Sequence, residues 1–156
     1  MFEFSYNSPT GQILITYDDT HILGLVFDKP QTQQSAQNEL IGRCVTQLDD
    51  YFRGNIMNFD LPINPIGTDF RRTTWDALQT IPFGETRTYG QIAEMIGNPK
   101  ASRAVGCANG KNPIYIIVPC HRVIGASGKL VGYAGGMERK IWLLNHEKSI
   151  ITQNKK

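Results

Sequence analysis

The chain has few cysteines, and the three it contains lie far apart among its 156 residues. An odd number of cysteines without close spacing argues against a disulfide framework and favours a reducing compartment. No Cys-x-x-Cys or His-x-x-x-His pair is present, so the sequence predicts no metal site.

The sequence also lacks a long apolar run, and its first residues do not pair a basic stretch with an apolar one. These absences argue against a membrane span and a secretory signal, so the expected location is the cytoplasm. The formal net charge of +2 is too small to indicate nucleic-acid binding or to exclude it, because a local basic face matters more than the sum.

Alternating apolar residues in the first third predict a small sheet. Ile13, Ile15 and Tyr17 form one run, and Leu23, Leu25 and Phe27 form the next, which together indicate a hairpin. The polar segment 31–38 suggests a solvated loop. A helix follows, whose apolar stripe is Leu40, Ile41, Cys44, Val45, Leu48 and Phe52.

Gly54 is placed to end that helix, and the stripe position of Cys44 indicates a core residue. Two prolines and a glycine then make segment 61–68 an extended connection. We predict the domain boundary there, with an N-terminal α/β domain over 1–66, linker included, and a second domain over 67–156. The predicted class is α+β, because the second domain has mainly helical patterns.

The second domain contains a helix-turn-helix pattern. Thr68 or Asp69 caps the first helix of the domain, which precedes the motif, and Thr88 with Gln91 forms a capping box for the first helix of the motif. Asn98 followed by Pro99 then predicts the start of another helix after a tight turn.

The helix after this turn has two distinct faces. Ala101, Ala104, Val105 and Ala108 form the expected packed side. Ser102, Gly106 and Asn109 form a second face with little side-chain bulk, from which Arg103 projects. Such a face suits close approach to a DNA groove, although close helix packing explains small residues equally well.

Cys120 lies beside His121 and Arg122, directly after the apolar run 114–118, which is typical of a buried strand. A thiol that reacts needs a nearby base or positive charge to form the thiolate, and these two neighbours are the nearest candidates. The alternative is a buried cysteine that only fills space.

Taken in order, these elements resemble the methylated-DNA–protein-cysteine methyltransferases, the single-turnover repair proteins for O6-alkylguanine. The resemblance runs continuously from residue 67 to about residue 147. It rests on IPFGET at 81–86, TYGQIA at 88–93, NPKASRAVG at 98–106, NP at 112–113, VPCHRVI at 118–124 and GYAGG at 132–136.

The resemblance implies that Cys120 attacks the alkyl carbon on guanine O6 and keeps the alkyl group, without a cofactor. It further implies that His121 deprotonates the thiol through a water molecule and that Glu147 holds this histidine. Glu147 lies near the edge of an apolar stripe formed by Met137, Ile141 and Leu144. Asn112 matches the asparagine that bridges the helix-turn-helix to the active-site segment.

The remaining assignments concern the DNA, from which this family rotates the damaged nucleotide into a pocket. Arg103 matches the residue that enters the duplex, and Tyr89 matches the tyrosine near the 3′ phosphate. The site prediction for DNA and substrate also includes Ser102, Gly106, Tyr133, Ala134 and Arg122. Ala134 stands where some relatives have serine. The backbone N–H at this position can still donate to guanine O6, but no side-chain hydroxyl is available for a contact.

The implied partner is double-stranded DNA containing O6-alkylguanine, bound by a monomer. Repair of O4-alkylthymine and cooperative binding are left open. Two other functions are possible for such a sequence. One is a lesion sensor without transfer, but the relatives that act in this way lack the reactive cysteine, which is present here as Cys120. The other is a Cys-His hydrolase, which would need an oxyanion hole in addition.

Overall fold

The computed structural model describes residues 1–29 and 37–154 and shows an α+β fold. Three antiparallel strands come first, in the order β1-β2-β3: β1 Phe2–Ser8, β2 Gly11–Tyr17 and β3 Ile22–Phe27. Two long helices flank the rest of the chain, α1 Glu39–Arg53 and α5 Met137–Asn154. Within the described ranges no helix combines the length and apolar character needed to cross a bilayer.

The sheet contains one strand more than the predicted hairpin. Ile13, Ile15 and Tyr17 of β2 are fully buried, as their alternation indicates. The prediction missed β1, and it placed Leu23 on the buried face where the structure buries Ile22. A register shift at Thr16 and Tyr17 explains this error, because an irregular pairing moves side chains to the opposite face.

Helix α1 has the ends that its sequence predicts. The Asn38 side chain accepts a hydrogen bond from the Ile41 N–H, and Gly54 ends the helix in the left-handed conformation with φ of 80°. Cys44 is fully buried, which confirms it as a core residue. The loop prediction for 31–38 falls mostly outside the described residues.

Three helices and a short parallel strand pair form the second half. The helices are α2 Asp69–Leu78, α3 Tyr89–Met95 and α4 Ser102–Gly110, and the strands are β4 Arg87–Thr88 and β5 Val123–Ile124. Thr88 and Gln91 form both hydrogen bonds of the capping box, as predicted. Helices α3 and α4 pack against each other and against α2, so the helix-turn-helix is present.

Helix α4 begins later than predicted. Its first residue is Ser102, because segment 98–101 forms a turn in which the Ala101 N–H donates to the Asn98 carbonyl. Its faces also differ from the prediction. Ala104 is exposed, whereas Asn109 is only 5% exposed and lies in the interior.

The apolar run 114–118 is not a strand, so this prediction was wrong. Ile114 makes an isolated bridge with Leu25, and the chain then turns through Ile116, whose φ is 71°. A β-branched residue rarely adopts this left-handed conformation. The run is still mostly buried, which explains its apolar composition without a strand.

The buried side of α5 is rotated relative to the predicted stripe. Ile141 is 40% exposed, and the buried residues are Lys140, Leu143, Glu147 and Ile150. Two of these four are charged, so a search for apolar periodicity finds the wrong side of the helix. The rotation places both charges in the interior beside residue 120.

Candidate active site

Cys120 is the first residue of a single 3-10 turn, Cys120–Arg122, and is 2% exposed. Burial raises the pKa of its thiol to about 11, although Asn112, Lys140 and Tyr133 act in the opposite direction. The thiol is therefore protonated at neutral pH and needs a base at the moment of attack.

Asn112 braces the chain that leads to the cysteine. Its side-chain amide donates to the carbonyls of Ile114 at 3.2 Å and Val118 at 2.9 Å, and its Oδ1 accepts from the Ile114 N–H at 3.0 Å. These bonds replace the pairing that a strand would have supplied. Asn112 thus fixes the turn that positions Cys120.

His121 is fully buried and oriented by one hydrogen bond. Its Nε2 lies 2.7 Å from Oε2 of Glu147, and the carboxylate can only accept, so Nε2 carries the proton. Its Nδ1 then has a lone pair and no hydrogen-bond partner among the described residues. Burial lowers the pKa of His121 by more than the Glu147 carboxylate raises it, and Arg122 and Lys140 lower it further, so the ring is neutral at pH 7 and able to accept a proton.

Glu147 is the centre of a buried network. It accepts from Arg122 Nε at 2.8 Å and Nη2 at 3.0 Å, and from the Tyr51 hydroxyl at 2.6 Å. The Gly84 N–H adds a bond of 3.2 Å. Burial would raise the pKa of Glu147, but the interactions with His121 and Arg122 outweigh it and hold the pKa well below its usual range.

Arg122 lies in the interior, where its guanidinium is held by two groups. Its Nη1 donates to the Ile81 carbonyl at 2.8 Å, and the rest of its guanidinium faces Glu147. Arg122 is only 6% exposed and forms a buried ion pair with Glu147, and its contact with DNA or substrate stays a prediction.

These shifts predict a loss of stability in acid. The folded-state pKa of His121 lies below the ordinary 6.5 and that of Glu147 below the ordinary 4.5, so the unfolded chain takes up both protons first as pH falls. The free energy of unfolding should therefore decrease below pH 6.5 and again below pH 4.5, by up to about 1.4 kcal/mol per pH unit for each group.

Urea unfolding between about pH 7 and about pH 4 measures this decrease. The control is His121→Gln, which keeps a donor for Glu147 and does not titrate. It should remove the first part of the decrease, and equal pH dependence in both proteins would contradict the assignment.

A cavity of about 240 Å³ lies between α4 and the loop before α5. Its lining includes four residues that the sequence assigned to substrate or DNA: Tyr89, Gly106, Tyr133 and Ala134. Asn109, Gly110 and Gly132 complete the wall. Cys120 is close enough to Tyr89 and Tyr133 to contribute, after burial, to the raised pKa of each hydroxyl.

The loop beside this cavity is held at both ends by α5. Lys140 is fully buried, and its Nζ donates to the carbonyls of Val131 at 2.8 Å and Val123 at 2.7 Å. Arg139 donates to the Gly135 carbonyl and to both carboxylate oxygens of Asp28, beyond β3. The loop is thus fixed to both halves of the molecule.

Arg103 and Ser102 lie at the start of α4, away from the buried network. Arg103 is exposed and Ser102 is half-buried. The structure therefore separates the predicted residues into a buried group around Cys120, a cavity wall, and an outer helix end. No group of three or more metal-ligating side chains occurs within residues 1–29 and 37–154.

Sequence reasoning missed two residues of this site and gave a third a different role. Tyr51 was left out although it lies beside the predicted stripe of α1, and Lys140 was missed because lysine is rarely buried. Asn109 was assigned to the outer face of α4. A signal did exist for Asn109, because it lies seven residues after Ser102 and three after Gly106 on the face assigned to close approach.

Comparison with known proteins covers both halves of the chain. Residues 1–65 match the family model described as 6-O-methylguanine DNA methyltransferase, ribonuclease-like domain. Residues 69–149 match the model described as 6-O-methylguanine DNA methyltransferase, DNA binding domain. The methylated-DNA--protein-cysteine methyltransferase of Methanosarcina acetivorans is 48% identical over 155 residues, which are 96% of this chain and 99% of that protein.

Other relatives agree with these matches. The protein of the same name from Mycobacterium leprae is 46% identical over 92% of this chain and 90% of its own length. The crystal structure of Mycobacterium tuberculosis OGT in complex with DNA superposes with a TM-score of 0.86 at 48% identity, covering 94% of this chain and 92% of that one.

Proposed function

This chain belongs to the 6-O-methylguanine DNA methyltransferase family, and on that basis we propose that it repairs double-stranded DNA by moving the alkyl group of O6-alkylguanine onto Cys120. The observation that carries the proposal is a buried thiol beside a cavity with two tyrosines in its wall, next to a neutral histidine whose Nδ1 is unpaired. This arrangement supplies a thiol nucleophile, a histidine that can accept its proton, and a cavity that can hold a nucleobase of DNA.

The proposed step exchanges one bond for another. The Cys120 thiol gives its proton to His121 Nδ1 through a water molecule, and the sulfur attacks the alkyl carbon. The bond from that carbon to guanine O6 breaks as the carbon–sulfur bond forms. Glu147 stabilises the imidazolium, and the guanine leaves with its electron pair.

The departing guanine needs a proton to become neutral. Burial, followed by the nearby Cys120, raises the pKa of Tyr89, so this hydroxyl keeps its proton until the guanine leaves. Tyr89 then donates that proton to the guanine, and the proton that His121 took from the thiol replaces it. The thioether in Cys120 does not release its alkyl group, so each molecule reacts once.

We assign the outer end of α4 to the duplex. Arg103 is exposed there, and in our proposal it fills the space that the flipped nucleotide leaves. Ser102 contacts the DNA backbone beside it, and Gly106 leaves room for the nucleotide to enter the cavity. The Ala134 N–H faces guanine O6 as a backbone donor.

We further propose that the division into 1–66 and 67–156 reflects two domains, which the separate family matches support. The proposed transfer step uses Cys120, His121 and Glu147 of a single chain and needs no second copy, so we propose that the protein acts as a monomer. A reducing compartment, the cytoplasm, suits a protein that needs its cysteine as a free thiol.

The test is intact-mass and peptide mass spectrometry after mixing the protein with excess duplex containing one O6-methylguanine. We expect one methyl group on the peptide holding Cys120 and repair that stops at one lesion per protein. An unmodified protein that still binds the lesion would indicate a sensor, and repeated turnover would indicate a hydrolase.

Arg103→Ala should slow repair of duplex DNA by roughly tenfold or more, because extrusion of a paired base is unfavourable without a side chain to replace it. Reaction with free O6-benzylguanine should change little, because it needs no extrusion. Single-turnover rates with both substrates measure the difference. The control is Arg72→Ala, which removes an exposed cation from α2. Equal slowing of both substrates by Arg103→Ala would contradict this role.

A further inference from the structure

Asn109 is a buried polar residue for which the transfer step gives no role. It lies in the last turn of α4, is 5% exposed, and lines the cavity together with Tyr89 and Tyr133. Its Nδ2 donates to the backbone carbonyl of Cys120 at 3.3 Å. Asn109 thus connects the helix-turn-helix directly to the reactive residue.

This hydrogen bond fixes the orientation of the amide. A carbonyl oxygen can only accept, so the NH₂ group must face Cys120 and Oδ1 must point elsewhere. Asn109 Oδ1 is buried and has no hydrogen-bond partner among the described residues. A buried acceptor without a donor is unfavourable, and it is rare unless a ligand or water supplies the donor.

The chemistry of the damaged base identifies a donor. Alkylation at O6 removes the proton from guanine N1, so the only N–H groups left on the base are those of the 2-amino group. An O4-alkylated thymine has lost its N3 proton and has no N–H group at all. An unpaired acceptor on a residue of the cavity wall can therefore distinguish the two lesions.

We propose that Asn109 Oδ1 accepts a hydrogen bond from the 2-amino group of the flipped O6-alkylguanine and makes the cavity selective for guanine lesions. This inference rests on the proposed function. A cavity built to pair a substrate N–H discriminates against an analogue without it, because its own acceptor then stays buried and unpaired.

The test removes each partner of the bond in turn. Single-turnover methyl transfer is measured for the unsubstituted protein and Asn109→Leu, on duplexes containing O6-methylguanine or O6-methylhypoxanthine, which lacks only the 2-amino group. The unsubstituted protein should prefer O6-methylguanine by roughly tenfold, and Asn109→Leu should lose most of this preference. Asn109→Leu should also react with O4-methylthymine faster relative to O6-methylguanine.

Two results would overturn the inference. One is an unsubstituted protein that reacts equally fast with both duplexes, a result that does not depend on whether Asn109→Leu folds. The other is an Asn109→Leu protein that is slower on both duplexes by the same factor, which would mean that the residue only supports the Cys120 carbonyl. Absence of any methyl transfer by the unsubstituted protein would instead reject the proposed function.

Discussion

Cys120→Ala is expected to reduce methyl transfer from O6-methylguanine below detection while leaving binding to the lesion-containing duplex within a few fold. The sulfur is the atom that forms the new bond, so no other group can replace it in the proposed step. Base recognition uses the cavity wall and the outer end of α4, neither of which loses an atom. Mass spectrometry and a binding titration on the same duplex measure the two effects.

The chain contains its own controls for this experiment. Cys107 is exposed on α4, and Cys44 is buried in the core with a pKa that burial raises to about 12. Cys107→Ala should be methylated at Cys120 as in the unsubstituted protein. Methylation of Cys107 or Cys44 in the Cys120→Ala protein would mean that the acceptor has been assigned to the wrong residue.

Glu147→Ala is expected to lower the free energy of unfolding by about 3 to 5 kcal/mol, the usual effect of removing one partner from a buried ion pair. The Arg122 guanidinium and the Tyr51 hydroxyl would both lose an acceptor within the core. Urea unfolding near neutral pH measures the change. Glu138→Ala, an exposed position on the same helix, should change it by less than about 0.5 kcal/mol.

Glu147→Gln should slow methyl transfer on the order of a hundredfold, because His121 would lose the negative charge that fixes its tautomer and stabilises its charged form. The rate is compared in Glu147→Gln, which keeps the side-chain shape, at a temperature where each protein is folded. An unchanged transfer rate in Glu147→Gln would show that the carboxylate supports the fold alone.

Local patterns predicted much of the fold from sequence. The capping box at Thr88, the end of α1 at Gly54 and the buried face of β2 all depend on residues close together in the chain, and the structure confirms them. The inward position of Glu147 followed from the family resemblance, although the stripe drawn around it was wrong. A search for apolar periodicity places apolar residues on the buried side of a helix, and it fails for α5 because two of the buried residues of this helix are charged.

The missed features depend on contacts between distant residues. Tyr51 and Glu147 are 96 positions apart and meet only when α1 packs beside α5. The strand predicted at 114–118 failed for a different and local reason, since the nearby Asn112 side chain supplies the backbone hydrogen bonds that a neighbouring strand would otherwise provide. Apolar composition shows that such a segment is buried without showing how its backbone is paired.

The hydrogen bond from Tyr51 to Glu147 matters for chimeras that combine the N-terminal half of one related protein with the C-terminal half of another. The hydroxyl reaches the same carboxylate oxygen as His121, so the first half of the chain supplies one atom group to the network behind the cysteine. A chimera that joins residues 67–156 to another N-terminal half would keep the whole helix-turn-helix and the cysteine. If the new N-terminal half has no hydroxyl at the position of Tyr51, however, the Glu147 carboxylate of the chimera would lose one of its hydrogen-bond donors.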